Sequence, residues 1–106
     1  MTPESFDEFR KMFISDMESI ATGKNQDYRA GTDNVLNDYY SASDRCNVTP
    51  AQAWAILFMK HVHAVERYVK TGRVSSESMR SRFIDIANYA ILGAALTHEL
   101  QTEANK

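Results

Sequence analysis

The sequence predicts an all-α fold, a bundle of four helices. Three observations predict it. Apolar residues recur at spacings of three and four along most of the chain. Capping signals bracket those runs. Only "GRV" at 72–74 has the makings of an extended segment, and no second segment exists to pair with it. With 106 residues, 43% hydrophobic content and a net charge of −2, the chain has the size and composition of one globular domain spanning residues 1–106.

The first helix is expected to start with Thr2 as N-cap and Pro3 at the first helical position, where its missing N–H costs nothing. Phe6, Phe9, Met12 (or Phe13), Met17 and Ile20 follow at helical spacing, and Gly23 is expected to end it. A polar stretch, "KNQDYRAGTDN", forms the connecting loop at 24–34. Such a stretch reads either as a solvated turn or as one wall of a ligand pocket. Thr32 then caps a shorter helix holding Val35, Leu36, Tyr39 and Tyr40, which fades near Asn47. "TPAQ" is the clearest start signal: Thr49 at N-cap, Pro50 at N1 and Gln52 at N3 make a capping box. This third helix runs to Gly72, and the fourth opens at Ser75-Ser76-Glu77 and frays into "QTEANK". Phe58, Val62, Val65 and Val69 are expected to form the core stripe of the third helix, and Phe83, Ile86, Ala87, Ala90 and Ala94 that of the fourth.

Several function classes drop out on composition. A net charge of −2 provides no general basic field for duplex nucleic acid. No apolar stretch approaches the roughly twenty residues of a membrane span. Acids at Glu4, Asp7 and Glu8 stand where a signal peptide carries basic and then apolar residues, so a cytoplasmic location is expected. The lone Cys46 has no partner at disulfide or zinc spacing and is expected to be a buried spectator thiol.

The chemistry concentrates on the last two helices. Lys60, His63 and Arg67 share a face at spacings of three and four, which suits either a phosphate-holding line or ordinary pairing with acids. Asp85 and Asn88 lie inside an otherwise apolar run and need polar partners. Asp85 either pairs with Lys60 or Arg67 across the helices, or joins Asp27 or Glu66 in holding a hard cation such as Mg²⁺ through oxygen. His61 and His63, two apart on a helix, point in different directions and do not chelate together; His98 is expected to be exposed. Trp54 and Tyr89 are either core anchors or stacking partners for a base.

The order "KNQDY", a helix bearing Lys60, then "ESMRSRFIDIANYAIL" resembles the nucleotide modification associated domain proteins of phages and bacteria, relatives of the MazG-like all-α nucleotide pyrophosphohydrolases. In that family a K-N-x-D-Y-G loop precedes a helix with D-K-x-x-R, and the last helix carries E-S-x-x-D-T-x-x-D-x-A-N-Y-A. The likeness spans about residues 20 to 96. It rests on Lys24, Asn25, Asp27 and Tyr28, on Lys60, and on Glu77, Ser78, Asp85, Ala87, Asn88, Tyr89 and Ala90. It implies a MazG-like bundle, oligomeric through self-association, that handles a nucleotide. By this resemblance Lys24, Lys60, His63 and Arg67 would hold phosphates. Asp27 and Asp85 would be the metal or water ligands of a Mg²⁺-dependent nucleoside triphosphate pyrophosphohydrolase. Asn88 with Tyr28 or Tyr89 would read base or sugar. The chain departs from the pattern at Arg29 for glycine, Met59 and Ser81 for acids, and His63 for arginine, with Arg82 three residues before Asp85. Those lost acids put the hydrolytic step in doubt more than nucleotide binding, and leave open a non-catalytic nucleotide or cyclic-dinucleotide binder, or a purely structural helical oligomer.

Overall fold

The computed structural model describes the backbone of residues 1–28, 34–74 and 77–105, and the side chains of the same residues except 23–28. Among the described residues there are four helices and no strand: α1 (Pro3–Tyr28), α2 (Asn37–Cys46), α3 (Pro50–Thr71) and α4 (Met79–Ala104).

Local signals account for most of the ends. The Thr2 hydroxyl accepts from the Ser5 amide at 3.1 Å and its carbonyl from Phe6, as an N-cap should. Thr49 and Gln52 form both halves of the capping box, at 3.0 Å and 2.9 Å. Gly72 closes α3 in the left-handed region (φ 68°), its N–H donating to the Tyr68 carbonyl.

Three boundaries differ from expectation. The first helix does not stop at Gly23 but continues through "KNQDY" to Tyr28. A helical glycine costs only about 1 kcal/mol, and Lys24 and Gln26 are good helix formers. Residues 34–36 form a turn, with the Asn34 side chain accepting from the Leu36 amide, so Val35 and Leu36 precede α2 instead of lying in it. Thr32, the expected cap, lies outside the described residues. The fourth helix is capped by Ser78, which accepts from the Ser81 amide at 3.1 Å; Ser75 and Ser76 also lie outside.

The core is small and sits where α2, α3 and α4 meet. Leu36, Tyr39, Ala53 and Leu96 are buried at its centre, with Trp54, Tyr89, Leu92 and Leu100 packed around them. The Tyr40 hydroxyl ties α2 to α4 by donating to Glu99 at 2.5 Å, and that bond pushes the phenol up to about 12. Trp54 decides how close α3 comes to α4. Its indole ring lies against Gly93, where an added Cβ would fall 2.4 Å from the ring, and its N–H donates to the Tyr89 carbonyl at 2.7 Å. Trp54 is therefore a core anchor, stacked on Phe58 at 4.9 Å.

The expected core stripes are only partly covered: Phe58, Val62, Val65, Ile86 and Ala87 are half-buried. Along α3 the buried residues are Ala53, His61 and Ala64; Val69 is 76% exposed. Along α4, Arg82, Ile84, Asp85, Gly93 and Leu96 are buried, whereas Phe83, Ala90 and Ala94 are exposed. On the α3 side the fully buried positions are two alanines and a histidine, with the valines partly or fully exposed. Cys46 also differs: at the end of α2 its thiol is exposed.

The first helix contacts the rest through α4. The Asn88 side-chain amide donates to the Met17 carbonyl at 3.2 Å, Arg80 pairs with Asp16, and the Arg80 guanidinium lies 5.8 Å from the ring centroids of both Phe9 and Phe13.

Replacing Gly93 by alanine forces either the indole or the α3–α4 spacing to move. A loss of about 1–3 kcal/mol is expected, which lowers the thermal midpoint by several degrees in a chain of this size. An unchanged midpoint in Gly93→Ala would show that the seam is not set by this contact.

Candidate functional site

The basic row of α3 lies where the spacing puts it. Lys60, His63 and Arg67 are exposed and line one shallow groove of about 600 Å³ with Ala55, Ile56 and Met59. The groove thus offers two cations and an imidazole above an apolar wall of Ile56 and Met59. Its position follows from helix geometry. The core-facing residues Ala53, His61 and Ala64 lie about 80° around α3 from this row.

Asp85 does not reach that row. Its carboxylate is buried and stands 3.6 Å from Nδ1 of His61, in the seam between α3 and α4. Arg82, one turn earlier on α4, is also buried and places Nη1 3.3 Å from the same Nδ1. A guanidinium only donates, so Nδ1 must accept, and the imidazole proton belongs on Nε2. His61 is then neutral, with the Arg82 guanidinium and the Asp85 carboxylate both beside its Nδ1. Glu77 Oε2 is 3.8 Å from Arg82 Nε, which makes no hydrogen bond among the described residues. Burial pushes the His61 proton affinity down; the Asp85 carboxylate opposes this, and Arg82 and Lys60 reinforce it. Tyr89 completes the wall, its ring 5.3 Å from that of His61.

Asn88 uses its amide to hold α1, as above. Glu66 is exposed on a different groove, with Val62, Val65, Val69, Lys70 and Ile86, about 140° around α3 from His61. The side chains of Lys24, Asp27 and Tyr28 lie outside the described residues. Among the described residues no three His, Cys, Asp or Glu side chains converge as a metal site. His98 is exposed, as expected. No helix of the described residues is long and apolar enough to cross a membrane.

Neither His61 nor Arg82 is among the site residues expected from the sequence: His61 is expected only not to chelate with His63, and Arg82 stands as a departure from the family pattern. A signal for Arg82 is present: Arg82, Asp85, Tyr89, Leu92 and Leu96 repeat at spacings of three and four, a stripe as regular as the apolar one.

No family model, curated protein or solved structure matches the chain.

The neutral, buried His61 makes stability depend on pH with a definite sign. The unfolded chain protonates this imidazole near its ordinary value of about 6.5, whereas the folded chain does so only at lower pH. His61's contribution is therefore complete above about 6.5 and is lost as the pH falls toward the folded value. Chemical denaturation between pH 7.5 and 5 should show stability falling with acid, by at most about 1.4 kcal/mol per pH unit from this one proton. In His61→Gln that part of the slope should vanish; an identical slope would mean that His61 is charged in the fold.

Proposed function

We propose that this chain is a MazG-like, nucleotide-handling protein that works as a homo-oligomer and binds the phosphates of a nucleotide along α3. The observation that carries the reading is the groove of Lys60, His63 and Arg67 beside Ile56 and Met59. Phosphate oxygens suit the ammonium and the guanidinium, the latter able to take two oxygens at once, while the apolar side chains accept the face of a base or sugar. The net charge of −2 means that attraction to an anion is local to this face. Support for the family part of the reading is the match of Lys24, Asn25, Asp27 and Tyr28 and of Asp85, Asn88 and Tyr89 to the motif order given above.

Whether the bound nucleotide is hydrolysed turns on carboxylates. A Mg²⁺-dependent pyrophosphohydrolase would draw on Asp27 and Asp85, with Mg²⁺ supplying charge neutralisation and an activated water. One observation favours the second reading, a binder without turnover. The Asp85 carboxylate is buried toward His61, and the described lining of the groove holds cations and apolar groups but no acid.

A thermal-shift screen of nucleotides with Mg²⁺ and with EDTA separates these outcomes. A bound nucleotide at one hundred times its dissociation constant stabilises by about 2.7 kcal/mol. Lys60→Ala and Arg67→Ala, both at exposed positions, should leave the midpoint without nucleotide unchanged and weaken binding by on the order of tenfold or more each, given the roughly 1.5–3 kcal/mol of a hydrogen bond to a charged group. Pyrophosphate release with Mg²⁺, abolished in Asp85→Asn, favours the enzyme; stabilisation in EDTA without turnover favours the binder. A panel that shifts no midpoint overturns both.

A further inference from the structure

The seam between α3 and α4 holds an ionic arrangement that the phosphate groove does not use. Two charged side chains are buried there, Arg82 and Asp85, together with the imidazole of His61. Nδ1 of His61 has two polar neighbours, Arg82 Nη1 at 3.3 Å and Asp85 Oδ2 at 3.6 Å. Beside Nε of the same guanidinium, Glu77 Oε2 stands 3.8 Å away. The Glu77 side chain is 48% exposed and that of Arg82 only 9%, so the cation is the more firmly enclosed of the two.

By type, a neutral imidazole nitrogen and carboxylate oxygens are metal donors. By spacing they also suit one. Two ligands of a tetrahedral ion, each bound at about 2.0–2.1 Å, lie about 3.4 Å apart, and Nδ1 and Oδ2 are 3.6 Å apart. Yet the place of the ion is taken. Nδ1 has a single lone pair, and Arg82 donates to it. A divalent ion at Asp85 would have to displace the guanidinium or stand beside it, and burial leaves like charges poorly screened. Of the other acids expected to hold Mg²⁺, Glu66 lies on a different groove and the Asp27 side chain is outside the described residues.

We propose that the Arg82 guanidinium holds the place of a divalent metal ion in this seam: Asp85 takes no metal in the native chain, and the seam without Arg82 becomes a metal site of His61, Asp85 and Glu77. A guanidinium serves where a fixed positive charge suffices. It carries one charge instead of two, remains tethered to α4, and cannot bind a water and lower its pKa as a metal does. The seam is then an ionic joint between two helices and is closed to metal-assisted attack through Asp85. This inference goes beyond the phosphate groove and does not rest on it, because Lys60 and Arg67 line another face of α3. It bears on turnover and not on binding.

Metal titrations without nucleotide test it. Mn²⁺ binding, followed by the EPR signal of the free ion, should give the same curve for the native chain and for Asp85→Asn. Arg82→Ala should bind Co²⁺ more tightly than the native chain does, with the visible absorption of a four-coordinate ion. Adding His61→Gln should remove that gain, by more than the roughly tenfold that losing even an outer partner of a ligand costs. The same comparison separates the seam from adventitious binding at the exposed His63, His98 and Cys46. Arg82→Gln serves if Arg82→Ala does not fold, and if neither folds the Mn²⁺ comparison decides alone. Mn²⁺ held by the native chain and lost in Asp85→Asn overturns the proposal. A folded Arg82 variant that gains no site dependent on His61 overturns it too. Neither result touches the phosphate groove, whose own test is stabilisation by nucleotide.

Discussion

The position of one indole ring governs the arrangement of this chain. Trp54 occupies the space that any side chain at position 93 would need, and its N–H is held by the backbone of α4. That contact fixes both the distance between α3 and α4 and the rotation of each about its own axis. Once the rotation is fixed, His61 meets Arg82 and Asp85, and the valines of α3 and the alanines of α4 turn outward. A buried guanidinium is costly unless its charge is matched and its donors are used. Glu77 lies 3.8 Å from the guanidinium and His61 takes one donor, while Asp85 adds a carboxylate on the other side of the imidazole contact. The cluster ties the register of the two helices together, because a slip of α3 along α4 would take His61 away from both Arg82 and Asp85.

Helix existence was legible in the sequence because caps are local. The Thr49 box and the Thr2 cap each involve groups within four residues, so no tertiary context intervenes. Gly23 misled because a glycine is a stop only where the chain needs a left-handed turn, and α1 continues instead. Which face of each helix is buried was not legible. Two regular stripes coexist on α4, one apolar (Phe83, Ile86, Ala90, Ala94) and one mixed (Arg82, Asp85, Tyr89, Leu96). Hydrophobicity alone selects the first for the interior, whereas the chain uses the second. The choice depends on a contact between residues 54 and 93, far apart in sequence and visible only once the helices are paired. The basic row was legible for the opposite reason: Lys60, His63 and Arg67 share a face on any α-helix, whatever α3 packs against.

Helix α3 thus has three working sides, each about a third of a turn wide. One carries Ala53, His61 and Ala64 against α4, one carries the basic groove, and one carries Val62, Val65 and Val69. At physiological salt, exposed charges more than about 8 Å apart are largely screened, so the cations of the groove act on what touches them. Their geometry therefore matters more than the overall charge of −2. That geometry is set by the rigidity of the helix backbone that bears them.

The two outer sides of α3 are consequently linked through one piece of backbone. α3 packs on α4 and on α2, and Ile56, Val69 and Lys70 are exposed outside those contacts. If a homo-oligomer covered the valine side, α3 would gain a further line of support and leave the basic side to solvent. Cations with less freedom to lose bind an anion at smaller entropic cost. Pairing and anion binding would then reinforce each other without any residue being shared between the two surfaces, because the rigidity of α3 is common to both.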